Sequence, residues 1–517
     1  MGVVNEFMKK ASSVFYISAA ILLMLVVIGV IAPKAFETAT GNTESFITDT
    51  FGWYYLIIVT AFVAICIYLL VSPAGKIKLG KPDDQPEFSR PTWVAMLFSA
   101  GVGIGLVFYG TAEPISHFAL SSPTGETGSD QAVRDAMQYT FFHWGIHAWA
   151  VYGLVGLCLA YFMFRRGETG LISSTLKPVI GRHASGPLGK AIDVIAVLAT
   201  VMGVATSLGF GAVQINGGLS YLFGIPSNMV SQFIIILAVT VLFMMSALSG
   251  LDKGIKILSN ANMLLAAVVF LIVFIFGPTL FTLNLFTDTL GKYLQNFVNM
   301  SFRLAPLNSE NRHWINVWTI FYWAWWIAWS PFVGIFIARV SKGRTIREFV
   351  TYVLLAPSLI SFLWFSVFGG SAISIERSGT KIISALATQE SLFGMLSTFP
   401  WGTAISVVAI GLIAIFFITS ADSGTFVLAM MTTNGDQNPN NTLKIVWGLL
   451  LTAIALVLLY SGGLQALQNT MIIAALPFSL VIIMMAISLL KVLNADAREL
   501  SRTKRTQPPA QEKKHEN

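Results

Sequence analysis

Apolar runs of about 20 residues, separated by short polar stretches, constrain this chain more than any motif does, because a hydrocarbon layer about 30 Å thick asks for that length of a spanning helix. Such runs fall at roughly 13–33, 51–72, 92–115, 138–163, 190–217, 229–248, 257–281, 314–339, 350–371, 402–431, 444–461 and 465–490. They leave 55% of the residues hydrophobic and 11% charged, against about 25% charged in a soluble globular protein. A soluble multidomain protein is excluded. So are collagen and a disordered scaffold, since there is no glycine period and no charge-rich tract of domain size. An outer-membrane barrel is built from strands of about ten residues, shorter than these runs. The pattern predicts an all-α polytopic membrane protein with twelve transmembrane helices.

The charges orient it. With the N-terminus inside, 25 of the 32 Lys and Arg residues face the inner side, among them Lys76, Lys78, Arg165, Arg166, Arg339, Arg344, Arg347 and Lys491. This follows the positive-inside rule and predicts both termini in the cytoplasm of a multi-pass plasma-membrane protein. The net charge of +7 then reflects topology; no basic groove with interleaved aromatics suggests a nucleic-acid partner. The run Val14–Ile31 lacks a small-residue cleavage box and is read as an anchor, not a signal peptide. Cys66 and Cys158 lie inside apolar runs, as buried hydrophobes do. The first twelve residues and the segment from about Asn494 are read as polar tails; basic residues such as Arg498 and Arg502 face either lipid headgroups or water. Segment 282–313 is predicted to be an amphipathic helix along the outer face, and 372–401 a short hairpin capping it.

Three features are not required by membrane insertion alone. The third run contains Ala100-Gly-Val-Gly-Ile-Gly105, whose glycines alternate. A helix-packing face repeats every three to four residues, so the alternation fits an unwound backbone better. Unwound backbone is tolerated in a membrane only beside protein or a water-filled cavity, and its carbonyls are then free for a cation. A small-residue packing face is the competing explanation.

Aromatics crowd the middle of two runs, Phe141-Phe-His-Trp144-Gly-Ile-His-Ala-Trp149-Ala-Val-Tyr152 and Trp318-Thr-Ile-Phe-Tyr322-Trp323-Ala-Trp325-Trp326-Ile-Ala-Trp329-Ser-Pro331. Ring faces arranged as a box hold a quaternary ammonium by cation–π attraction, about 2 kcal/mol or more when desolvated. A zwitterion could thus be bound without a buried countercharge. Bulky packing or belt anchoring accounts for some of the rings, Trp314 and Trp318 among them. In the tenth run, Thr419 and Ser420 offer hydroxyls to a small hard cation opposite the glycine break. Ser and Thr also bond back to their own helix at small cost. Asp422 must face a cavity or a partner.

His143 and His147 lie one turn apart without a third zinc ligand, which favours structural hydrogen bonds. Glu113, before Pro114, either forms a buried pair or meets solvent. No nucleotide-binding loop or nucleophile elbow occurs in a sensible context, so neither an enzyme nor an enzymatic cofactor is expected.

Over residues 10–495, and most specifically at Gly101–Gly105, Trp144–Tyr152 and Tyr322–Pro331, the chain resembles the betaine/carnitine/choline transporter family. The resemblance implies a 5+5 inverted-repeat core of the sodium-coupled neurotransmitter-transporter type. Its parts would be a tail and two peripheral helices in 1–90, a first repeat in 91–281, the outer helix in 282–313, a second repeat in 314–492 and a short tail in 493–517. It also implies a homotrimer embedded in membrane lipid. Carried over by residue, Trp144, Trp149, Tyr152 and Trp326 resemble the trimethylammonium box, Trp329 a contact on the inward route, and Ala100, Gly101 and Gly103 the backbone beside the substrate. Sodium, the coupling ion, would bind main-chain oxygens of Ser99, Val102 and Phe416 and the hydroxyls of Thr419 and Ser420. A second sodium site would draw on Thr200 and Phe332, although Val204 and Thr206 do not both keep the family's hydroxyls.

Choline-preferring relatives tend to carry an acid where this chain has Gly105, and no carboxylate is evident in the box. The resemblance therefore implies sodium-driven symport of glycine betaine as an osmoprotectant, with choline or carnitine transport, proton-coupled or by sodium-independent exchange, as the alternative. A channel would need a continuous polar pore, which the sparse charge in the spans opposes.

Overall fold

The computed structural model describes residues 11–101, 103–249 and 254–506. Val102, the pair Lys9 and Lys10, and Lys253 lie outside the described residues, as do the side chains of Ala100, Arg502 and the basic residues after it. Among the described residues the chain is helical, and its one extended pairing is the isolated bridge Lys78–Thr345. Helix is what lipid imposes, since each backbone N–H and C=O must find its partner within the segment.

Among the described residues, ten helices are long and apolar enough to cross a membrane, and the bent pair Arg90–Ser99 with Ile104–Leu120, angled at 69°, makes an eleventh. The helix Asn441–Thr506 is interrupted at Gly462 and at Gly463, whose left-handed φ of 63° suits glycine. That break divides it into two passes and completes the twelve. In chain order the spans are Ser13–Ile31, Pro33–Val71, the pair Arg90–Gly101 and Ile104–Ile115, the pair Asp130–Trp144 and Ile146–Ala160, Pro187–Phe223, Met229–Ser249, Gly254–Phe276, Phe321–Val340 with its lead-in Ser309–Ile315, Ile346–Ile375, Gly402–Met431, and the two parts of the last helix. Pro33–Val71 begins well before its apolar run, so the polar stretch 33–50 continues the helix beyond the membrane.

Spans 3–7 and 8–12 form the two halves of a 5+5 inverted-repeat core. Five passes is an odd number, so the second half enters the membrane opposite to the first. Packing follows that exchange: the second half of span 3 lies on span 9, span 8 lies on span 4, and spans 5 and 10 pack on each other. Burial separates centre from rim. The most apolar windows of spans 4, 5 and 8 are 89%, 83% and 94% buried, whereas those of spans 6 and 7 are each 22% buried. The exposed stripe Val230, Ile234, Leu237, Val241 and Met245 on span 6 has the helical spacing of a lipid-facing surface.

The segment between spans 7 and 8 holds Thr279–Gln295 followed by Phe297–Phe302. The first is amphipathic as expected, with Thr282, Leu285, Thr289 and Tyr293 turned inward. Tyr293 Oη accepts the Ile146 N–H at 3.3 Å, at the start of the second half of span 4. Segment 372–401 is not a hairpin. It is a wide helical turn after span 9, held by Glu376 accepting the Ile383 and Ser384 N–H groups, then a short helix, Ser391–Leu396. That helix buries Leu392, Phe393, Met395 and Leu396 against spans 3 and 10, and this apolar burial favours a helix over a simple hairpin. On the opposite face the basic residues tie the links together: Arg165 donates to the Gly80 carbonyl, Arg347 to Leu70, Lys491 to Pro178, and Arg166 pairs with Asp496 at 2.6 Å.

Candidate functional site

Span 3 unwinds after Gly101, and Gly103, in extended backbone (φ −123°, ψ −151°), caps its second half. The glycines are required because each seats a tryptophan. A Cβ on Gly101 would lie 2.3 Å from Trp149 Cη2, and one on Gly105 would lie 2.8 Å from Trp325 and 3.0 Å from Trp144. Gly103 is less crowded, with Trp329 at 3.3 Å and Ser420 Oγ at 3.7 Å. Unwinding, not a packing face for a neighbouring backbone, is what the alternation encodes.

A second break has no counterpart in the sequence analysis. Gly145 (φ −99°, ψ −141°) separates the halves of span 4, and a Cβ there would meet Phe141 O at 2.5 Å and Phe362 at 2.7 Å. In an unbroken helix Trp144 and Trp149 would point about 140° apart; with the break, Trp144 meets Trp326 of span 8 and Trp149 lies over Gly101 of span 3. Trp326 Nε1 donates to the His143 carbonyl at 3.0 Å, next to this break.

Trp144, Trp149, Tyr152 and Trp326 form a chain of neighbouring rings, all at least 96% buried. Ring centroids stand 5.0 Å apart for Trp144 and Trp326, 5.9 Å for Tyr152 and Trp326, and 5.6 Å for Trp149 and Tyr152, each pair near edge-to-face. Trp325 stacks on Trp326 at 5.4 Å and 6°. Trp144, Trp325, Trp326 and Trp329, with the three glycines and Ser207, line a space of about 10 Å³, room for one water. Tyr152 Oη, Trp325 Nε1 and Trp329 Nε1 are buried with no hydrogen-bond partner.

Trp329 and Gly103 also line a second cavity of about 80 Å³ together with Ser99, Phe416, Thr419 and Ser420. The described residues of the expected sodium set thus share one cavity beside the break. Thr419 donates to the Ile415 and Phe416 carbonyls at 2.9 and 3.2 Å, which leaves its oxygen lone pairs free for a cation. The suggested second site is not assembled. Phe332 lines this cavity, but Thr200 does not and donates to Ala196 O at 2.8 Å on its own helix. Thr206 donates to the Met202 and Leu467 carbonyls, and Val204 packs on Gly424.

The 80 Å³ cavity shares Phe336 with a vestibule of about 600 Å³ lined by Glu87, Arg339 and Lys444 on the basic face. On the other face, a cavity of about 200 Å³ shares no lining residue with the box. Tyr109, Phe210, Phe321 and Trp325 lie between, with centroids 5.2 to 5.9 Å apart where Tyr109, Phe210 and Phe321 meet Trp325. The hydroxyl-lined cavity and the vestibule on the basic face thus meet at Phe336, whereas a layer of rings stands between the box and the cavity on the other face.

Behind the box lies a group that sequence reasoning undervalued. Glu113 is fully buried. Its Oε2 accepts the Trp144 indole N–H at 2.8 Å and the Tyr322 hydroxyl, and its Oε1 pairs with His143 Nδ1 at 2.7 Å and His117 Nε2 at 3.3 Å. His143 Nε2 reaches Thr319 Oγ1 at 3.0 Å, and His147 Nε2 reaches Ser301 Oγ at 2.9 Å. The expectation that no carboxylate attends the box needs correction, because one stands a single ring behind it. Spacing hid this: Glu113 and His117 are one turn apart, but His143 and Tyr322 come from spans 4 and 8. The ligand atoms of Glu113, His117 and His143 lie within 4.8 Å of one another, a grouping that could hold a metal, although both imidazoles already spend those nitrogens on Glu113. Asp422, likewise expected to need a partner, accepts from Ser246 Oγ at 2.5 Å.

Residues 13–498 match the model of the BCCT, betaine/carnitine/choline family transporter. The chain is 58% identical over 502 residues to the glycine betaine transporter OpuD of Bacillus subtilis (strain 168), covering 97% of this chain and 98% of that one. It is 45% identical over 495 residues to the ectoine/hydroxyectoine transporter of Virgibacillus pantothenticus, covering 95% and 98%. A solved Na+-coupled sialic acid symporter aligns over 86% of this chain and 84% of its own, at 14% identity and a TM-score of 0.40. With the broken third span, the tryptophan box and a family match over nearly its whole length, the chain is a multi-pass membrane transporter and belongs to the betaine/carnitine/choline transporter family.

Proposed function

We propose that this transporter carries glycine betaine into the cell by sodium-driven symport. The observation that carries this reading is the closure of Trp144, Trp149, Tyr152 and Trp326 onto the unwound glycines, directly beside the hydroxyl-lined cavity of Thr419 and Ser420. Ring faces suit a quaternary ammonium, and the unpartnered N–H and O–H groups of Trp325, Trp329 and Tyr152 suit the carboxylate of a zwitterion. The relative at 58% identity is a glycine betaine transporter by name. Sodium held between the carbonyls of span 3 and the hydroxyls of span 10 would fix the unwound segment that seats the rings, so ion and substrate strengthen each other's binding by an equal factor.

The basic face is assigned to the cytoplasm by the positive-inside rule, which puts both termini inside the plasma membrane and makes the connected vestibule the exit route. The ring cluster around Tyr109, Phe210 and Phe321 is then the closed outer gate. The trimer remains a proposal from resemblance, as do the domain limits 1–90, 91–281, 282–313, 314–492 and 493–517. Uptake of radiolabelled glycine betaine into proteoliposomes, with and without an inward sodium gradient and with choline, carnitine and ectoine as competitors, tests the whole reading. Uptake indifferent to sodium sinks the coupling, and choline or ectoine outcompeting betaine replaces the substrate.

A further inference from the structure

We propose that Glu113 is a positioning residue that sets the cation preference of the aromatic box from one ring behind it. This rests on the transport reading above and deepens it. Glu113 touches no cavity of the box, yet two box-associated rings end on its Oε2: Trp144 through its indole N–H at 2.8 Å and Tyr322 through its hydroxyl. Trp144 meets Trp326 edge-on at 5.0 Å, and Tyr322 stacks on Trp326 at 5.7 Å and 19°. An indole N–H can only donate, so the direction of that bond is certain and the carboxylate is its acceptor.

Two physical effects follow. A ring whose N–H or O–H donates to a carboxylate is pushed toward higher π-electron density, and cation–π attraction grows with the negative potential over the ring face. The carboxylate also acts through a region with no water to screen it, where a charge one ring away is still felt. Both effects favour a cationic head over a neutral head of the same shape. The remaining lone pairs of Glu113 are taken by His143 and His117, and His143 is anchored in turn by Thr319, so the carboxylate is fixed against rotation. Trp144 is therefore held at both ends, by Glu113 at its nitrogen and by the Gly105 seat at its far edge.

The test separates charge from shape. Binding of glycine betaine is compared with that of tert-butylacetate, in which carbon replaces the quaternary nitrogen, by competition against radiolabelled betaine on the full-length protein in proteoliposomes. Glu113→Gln keeps the size and an acceptor oxygen but removes the charge. It is expected to weaken betaine about tenfold while tert-butylacetate competes as well as before or better. Tyr322→Phe removes one donor only and should weaken betaine about two- to threefold in the same selective way; it decides the matter if Glu113→Gln does not fold. An equal loss for both ligands, as a purely structural role would give, or betaine affinity unchanged in both variants, overturns the inference. Wild-type protein that fails to bind betaine overturns the transport reading itself, and with it the inference.

Discussion

On one side of the break in span 3, Gly101 and Gly105 seat tryptophan edges beside a space of about 10 Å³; on the other, Gly103 faces Trp329 and Ser420 at a cavity of about 80 Å³ lined in part by the hydroxyls of Ser99, Thr419 and Ser420. The same glycine run thus serves two unlike neighbours. The ring side works by close fit, where a single added carbon has nowhere to go. The hydroxyl side works by offering oxygens, where spare volume costs little because water or an ion can occupy it. Side-chain loss should accordingly be felt through shape on one side and through donor chemistry on the other.

The largest effect is expected from Trp326→Ala, which removes the ring shared by Trp144 and Tyr152; betaine affinity should fall at least about 100-fold, as loss of a central buried aromatic can cost several kcal/mol. Substrate-induced tryptophan fluorescence or direct binding measures it, and an unchanged affinity would mean the box is not the site. Gly101→Ala comes next. Its Cβ falls 2.3 Å from Trp149, so the ring must leave its place, and binding should drop about tenfold or more. Gly103→Ala, whose nearest atom is at 3.3 Å, should cost a few-fold at most; equal effects from the two alanines would erase the distinction between the sides.

Thr419→Ala should leave betaine binding near normal at saturating sodium yet raise the sodium concentration for half-maximal uptake about tenfold, as loss of one oxygen ligand or its hydrogen bond does. Sodium titrations of uptake decide it, with an unshifted midpoint counting against the hydroxyl side as an ion site. The smallest effect belongs to Thr200→Ala, which does not line the cavity that holds Thr419 and Ser420; sodium dependence should stay within about twofold. A larger shift there would restore the second ion site that the geometry does not assemble.

Much of this was legible in the residues themselves. Twelve passes follow from twelve apolar runs, and the break in span 3 from glycines spaced too closely for a packing face. The break at Gly145 was not legible, because one glycine between aromatics is common in membrane helices and its consequence is a rotation of Trp144 relative to Trp149. The segment after span 9 was not legible as a helix, because the burial of Leu392, Phe393 and Leu396 that makes part of it helical depends on the spans it packs against.

By itself the sequence determined the number of passes, the sidedness of charge and the residue types at the site, since these are local consequences of hydropathy, backbone freedom and ring chemistry. Only the tertiary structure decided what each group faces. It placed Glu113 one indole behind the box, joined Ser99 to Thr419 in one cavity and kept Thr200 out of it. Those relations run between spans separated by tens to hundreds of residues, and helix periodicity fixes the face a residue occupies without fixing which helix lies opposite.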